Sequence, residues 1–317
     1  MDTRQAEAHL VKGFILTRLF QAVLTLVLLS VLIFVLSRVV GNPADILIPI
    51  DSPPEARERF TRSLGLDRPL HEQYITYVSR LMQGDLGVSV RSREPVVDLI
   101  AARLPASLAL AAVAMLLAIA MALPLGIVAA LNRGKVLDTL ASGLALFGQS
   151  VPAFWVGILL IQLFAVNLRW LPPSGAATPL HYVMPAFTMS LFVLAGMTRL
   201  LRTAMLEVLG SEYVRFARSK GVDERRVVWK HALRNALIPV VSFGGVYFSI
   251  MITMAIVTEV VFAWPGIGRL AYNAVVLRDF PLMQAVVLAT GVIVIVVNLA
   301  IDMTYAFIDP RIRYSKA

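Results

Sequence analysis

Apolar runs near the roughly 20 residues that a bilayer core requires recur six times along the chain. They lie at about 15–37, 104–131, 140–168, 180–201, 239–262 and 283–307. The pattern predicts an all-α integral membrane protein with six transmembrane helices. The first run is too long for a signal-peptide core and has no small-residue cleavage site after it, so it is expected to remain as a helix. Two polar stretches interrupt the pattern at length: 38–103, and Arg199 to Pro239.

The second of these stretches organises the chain. It carries nine Lys or Arg residues against four acids, with a membrane-length run on either side. Its spacing predicts a short helix capped by Ser211, running through Lys220 and ended by Gly221 in the left-handed region. Asp223 is placed to cap a second helix, with Glu224 in its first turn, running to about Asn235 and meeting the next span near Pro239. Helix, glycine, helix is a shape that a soluble partner can grip.

Basic residues set the orientation. Arg4, Lys12 and Arg18, then Arg133 and Lys135, the central loop, and finally Arg311, Arg313 and Lys316 fall on one side. The two short loops opposite hold only Arg169, Arg269 and Arg278. The predicted layout is therefore a cytoplasmic segment 1–14, a first span 15–37, an extracytoplasmic loop 38–103, a core 104–308 containing a cytoplasmic loop 202–238, and a cytoplasmic tail 309–317.

The long outer loop predicts two amphipathic helices, Glu55 to Leu64 and Leu70 to Met82, split by Gly65 and Pro69. It serves either as a docking element or as a cap packed on the spans. The second span carries Ala114, Ala118, Ala122, Gly126 and Ala130, a ladder that allows close helix packing, and Pro124, which predicts a kink. Gln149, Ser150, Pro152 and Trp155 predict a polar kink in the third span. In the fifth, Ser249, Thr253 and Met254 are pore candidates, although such polar positions equally serve helix contacts. Glu259 is an acid near a span end, which calls for a partner or a water-facing task. Trp264-Pro265-Gly266-Ile267-Gly268 then breaks the helix. Asn298 and Asp302 share one face of the last span, where Asp302 is either an ion-pair partner or a proton relay.

Composition agrees with a membrane protein: 58% of residues are hydrophobic and 15% charged. The net charge of +9 is concentrated at span ends and in one loop, which points to topology and away from nucleic acid. No cysteine is present, excluding disulfides, thiolate metal sites and a cysteine nucleophile. Gly134-Lys135 is no Walker A: Ala129 replaces the upstream glycine, and Val136 follows. Neither a zinc-protease motif nor a nucleophile elbow occurs.

The central loop resembles the coupling loop of importer-type ATP-binding-cassette (ABC) permeases in the dipeptide/oligopeptide/nickel branch. Against the general pattern of Glu-Ala-Ala, Gly and Ile-x-Leu-Pro, only Ala217, Gly221 and Leu233 match. The form found in the branch fits Glu212 to Gly221 and His231 to Pro239 far better, with Phe216 where a small Thr is usual. The resemblance extends through Leu64 to Leu70, Gly84 to Ser89, Glu259 to Gly266 and the tail Asp309 to Tyr314.

That resemblance implies a type I ABC importer permease fold with a folded outer loop between helices 1 and 2, in a prokaryotic cytoplasmic membrane. It implies no catalytic residue, metal or cofactor in this chain, with ATP and Mg held by partner ATPases. The implied partners are a second homologous permease, two ABC ATPases, an extracytoplasmic solute-binding protein and the bilayer. Tyr213, Arg215, Phe216, Ala217, Arg218, Lys220, Gly221 and Val222 would meet the ATPase, with Ala217 most sensitive to added bulk. Dipeptides, oligopeptides, glutathione and nickel chelates are all possible solutes. An ion-coupled secondary transporter using Glu259 and Asp302 is the alternative.

Overall fold

A computed structural model describes residues 3–39, 53–63 and 67–308. The Leu64-Gly65-Leu66 motif, the tail from Asp309 and the side chain of Asp302 lie outside the described residues. Among those described, the chain is helical, and a lone antiparallel bridge joins Val88 to Pro95.

In chain order the helices are α1 (Thr3–Val39), α2 (Pro54–Ser63), α3 (Leu70–Met82), α4 (Val96–Leu131), α5 (Val136–Ser150) and α6 (Ala153–Leu160). They continue with α7 (Val183–Leu209), α8 (Glu212–Ser219), α9 (Leu233–Val261), α10 (Ile267–Val276) and α11 (Phe280–Ile308). The segment Ile161–Asn167, which prolongs α6, and Val227–Ala232, which leads into α9, are wound as wider π-helix. Five helical stretches are long and apolar enough to cross a bilayer: Ile15–Ser37, Val96–Leu131, Pro179–Leu209, Glu224–Val261 and Phe280–Ile301.

Two expectations are corrected. The third span, predicted as a kinked helix, is broken at its proline: Val136–Ser150 and Ala153–Asn167 meet at 99°, and the pair makes a sixth span if it crosses as one. Pro152 has no N–H to continue α5 and forces the residue before it out of the helical region. Val151 is accordingly extended, at φ −93 and ψ 133. Conversely, the helix leaving the central loop does not stop near Pro239. It continues from Glu224 to Val261 with Pro239 inside it, as spanning helices tolerate when neighbours cover the freed carbonyl. Pro124 likewise lies inside α4 without ending it.

The chain forms two compact units. The first comprises Met1–Pro105 and Gly266–Ala317. Its core joins Val96 and Ile100 to Ile267, Ala274, Leu282 and Val286. Asp279, fully buried, organises the adjoining loop: the Ser89 hydroxyl donates to its Oδ2 at 2.5 Å, and the Val90 and Arg91 amides approach at 3.3 Å. The same carboxylate accepts from the Leu282 amide at 3.3 Å, capping α11. The predicted outer helix α3 packs on α1 through Phe34 and Tyr74, whose ring centroids lie 5.4 Å apart, and Ser30 shares a 2.9 Å hydrogen bond with Tyr74. Burial, and then the neighbouring Tyr74, push the Tyr77 hydroxyl up to about 12.

The second unit is Ala106–Pro265. The predicted small-residue ladder is buried along its length. A Cβ on Gly126 would lie 2.9 Å from the Leu201 side chain, so α4 and α7 touch almost backbone to side chain there. Gly196 of α7 is covered by the Tyr247 hydroxyl of α9, leaving no room for a Cβ. One core gathers Leu110, Ala118, Val193, Met197, Met251 and Trp264. Another joins Ile127, Leu201 and Met205 to Val228, Ala232 and Ala236.

Candidate functional site

The central loop is a folded object, built by short-range bonds. Ser211 occupies the expected N-cap position of α8 in extended conformation, but its side chain does not cap. Its hydroxyl donates instead to the Val208 carbonyl at 2.5 Å, satisfying the end of the preceding helix. The helix stops as predicted: Gly221 has φ 77, its amide bonds to the Arg218 carbonyl at 2.9 Å, and the Val222 amide bonds to Ala217 at 3.2 Å. These two bonds make a Schellman ending. A Cβ at Gly221 would meet nothing within 4 Å. Glycine is required there for the left-handed backbone and not for space.

Three attachments hold α8 to the next helix. Arg218 grips Glu224 with two bonds, at 2.6 and 3.0 Å, which holds the guanidinium above its ordinary pKa. The Tyr213 hydroxyl donates to the His231 carbonyl at 3.0 Å and accepts from Asn235 at 2.7 Å. Asp223 caps as expected, accepting from the Arg225 amide at 3.2 Å.

These contacts sort the predicted coupling residues. Val214 and Ala217, three apart, face inward. Ala217 is only 9% exposed, so bulk there would strain this chain before it met any partner. The outward face carries Phe216, 61% exposed, with the Lys220 ammonium 4.4 Å from its ring centre. Arg215 lies on the surface beside Glu212 at 3.0 Å, and Tyr213 and Arg218 are part spent on internal attachments. Val222 is half-buried.

Sequence reasoning missed the ion pair that braces this region. Asp138 of α5 receives Arg202 of α7 through Nε at 2.6 Å and Nη2 at 2.7 Å, and the Gly134 amide adds a bond of 2.9 Å. The available signal was one acid at the start of an otherwise apolar helix, which required a cation from elsewhere in the fold.

The pore candidates do not form one face. Ser249 and Glu259 are buried, whereas Met254 is 44% exposed. Thr253 donates to the Ser249 carbonyl at 3.2 Å. Glu259, with no exposed surface, accepts from Ser107 of α4 at 2.5 Å. Its backbone carbonyl takes the Trp264 amide at 2.8 Å. The helix thus closes on itself through Ala263, which has φ 48. Trp264 is buried with its indole N–H on the Ala106 carbonyl at 3.0 Å and its ring 4.5 Å from that of Tyr182. The predicted break is therefore a tightly held corner. No group of three or more His, Cys, Asp or Glu among the described residues is placed to hold a metal.

Residues 122–314 match the family described as binding-protein-dependent transport system inner membrane component. Residues 11–111 match the corresponding N-terminal membrane component. The chain belongs to this family. The permease is 42% identical over 303 residues to the glutathione transport system permease protein GsiC of Escherichia coli, across 95% of this chain and 99% of the relative. Its fold is similar to the inward-facing MetNI methionine ABC transporter, with a TM-score of 0.58 at 17% identity over 67% of this chain and 96% of that one. An amino acid ABC transporter gives 0.54 at 15% identity over 67% and 95%. The permease is thus an inner-membrane subunit of an ABC importer and not an enzyme, working with ATPase and binding-protein partners. That assignment leaves no place for an ion-coupled secondary transporter driven by Glu259 and Asp302.

Proposed function

We propose that the permease imports a small peptide of the glutathione class, and that it is driven through the exposed face of α8. In this reading two cytoplasmic ATPases grip Phe216, Lys220 and Arg215. A second homologous permease completes the path, and a solute-binding protein delivers cargo from outside. ATP and Mg stay in the ATPases.

The observation that carries the reading is the construction of the loop. Phe216 is presented to solvent on a helix whose inner side, ending and attachments are all satisfied within the chain. A push on α8 passes through Arg218–Glu224 and Tyr213–Asn235 into the rod Glu224–Val261. Moving that rod is how a partner biases a two-state channel. Thr253 and Met254, exposed on it, are the positions that would meet the sister subunit or the path. The basic bias of the loop supports its cytoplasmic placement, and with it cytoplasmic termini. The identity to a glutathione permease supports the solute class.

The test is uptake by the complete importer in proteoliposomes, offered glutathione, a dipeptide, a longer peptide and a nickel chelate. ATP-dependent uptake of glutathione is expected. Preference for another solute would overturn the proposed class, and uptake by this chain without ATPases would overturn the coupling.

A further inference from the structure

Beyond the α8 face, the first turns of the Glu224–Val261 rod carry a surface that the coupling account does not use. A groove of about 580 Å³ is lined by Asp223, Arg225, Arg226, Trp229 and Lys230. A second, of about 450 Å³, is lined by Trp229, Lys230, Leu233, Arg234 and Leu237. Trp229 and Lys230 line both, so the two are adjoining compartments of one surface. The upper compartment is basic, and the lower adds the apolar Leu233 and Leu237.

Trp229 is 58% exposed, on a helix that goes on to span the bilayer. Arg225, Arg226, Lys230 and Arg234 are exposed, and none pairs with an acid among the described residues. The one acid in the groove, Asp223, is committed to the Arg225 amide. By contrast Arg202, Arg215 and Arg218 each hold a carboxylate. Three cations of this region thus hold acids, Lys220 lies over the Phe216 ring and Arg199 bonds to Gln149, while these four cluster without an acid among the described residues.

We infer that this two-compartment groove binds an anionic phospholipid of the cytoplasmic leaflet. The phosphate lies among Arg226, Lys230 and Arg234, and an acyl chain runs along Leu233 and Leu237. Cations placed just cytoplasmic of a spanning helix attract acidic headgroups. An exposed tryptophan belongs at the headgroup level, and this one lines both compartments. A lipid held there lies against the segment that receives the push from α8, so the acidic lipid content of the membrane would tune coupling. The inference rests on the cytoplasmic placement of the loop. Ser219→Cys, probed with impermeant reagent in intact cells, tests that placement separately: no labelling is expected, and labelling from outside would overturn it.

The experiment purifies the assembled importer in nanodiscs of phosphatidylcholine mixed with phosphatidylglycerol and counts retained lipid by native mass spectrometry. Wild type is expected to retain phosphatidylglycerol over phosphatidylcholine. The triple variant Arg226→Gln, Lys230→Gln, Arg234→Gln should retain about a hundredfold less, the scale of losing three cations near an acidic surface. Arg226→Lys with Arg234→Lys keeps the charge and should restore retention, which separates lost binding from lost folding. Equal retention by wild type and the triple variant, or no rescue by the lysine variant, would overturn the inference. So would loss of the ATPases from the triple variant with lipid unchanged, which would make the groove a protein-docking surface.

Discussion

The rod from Glu224 to Val261 carries a glutamate near each end, and the chain treats them in opposite ways. Glu224 lies at the surface and holds Arg218, six residues back in sequence, in a two-bond grip. Glu259 has no exposed surface and takes its hydrogen bond from Ser107, on a helix 152 residues away in sequence. The first end is built from local bonds among exposed groups, and it leaves Phe216, Trp229 and several cations facing outward. At the other end Glu259, Phe262 and Trp264 are all closed into the unit. One end is shaped for something that is not in this chain, and the other is satisfied by the chain itself. An acid beside a span is thus no guide to function until its partner is known.

Substitutions at three positions probe this contrast, and the corner should suffer most. Trp264→Ala removes a fully buried indole together with its bond to Ala106. It should lower stability by about 3 kcal/mol or more, read as a fall in the unfolding temperature of the purified permease. A shift within error would show that the corner is not closed. Glu259→Ala removes the buried acceptor of the Ser107 hydroxyl and should cost about 1–3 kcal/mol, whereas Glu259→Gln keeps an acceptor and should recover part of that. Unchanged stability and transport in Glu259→Ala would remove this residue from any structural or gating account. The most local of the three is Gly221→Val. A branched side chain at φ 77 strains the backbone by about 1–3 kcal/mol, but the site is open, so the strain should stay in the loop. The expected result is an inserted, assembled permease with impaired ATPase stimulation. Full stimulation would mean that the α8 ending has no mechanical role.

Much of this was legible in the sequence, and for identifiable reasons. Local chemistry transferred well. Gly221 takes the left-handed turn and Asp223 the cap, because both depend on neighbours within a few residues. The ladder from Ala114 to Ala130 is buried because small residues at helical spacing leave a partner helix nowhere else to pack. What depended on distant chain was hidden. Asp138 and Arg202 are 64 residues apart, and no period connects them. The inward turn of Ala217 was also invisible, because α8 alone does not say which of its faces meets the next helix. Ser211 was misread for a related reason: the Val208 carbonyl of the preceding helix competes for its hydroxyl. The bend at Pro152 was foreseen as a kink, but its 99° size was not. A proline limits the backbone without fixing where the chain goes next.

The most direct test of the central claim compares Phe216→Asp with wild type in the complete reconstituted importer, reading ATP hydrolysis with and without loaded binding protein. Phe216 is exposed and contributes little to the fold, so the unfolding temperature of the purified permease should stay near that of wild type. Stimulated hydrolysis should fall about tenfold or more, the scale of losing an aromatic anchor from an interface. Wild-type stimulation by Phe216→Asp would contradict the claim that the outward face of α8 is where the ATPases take hold.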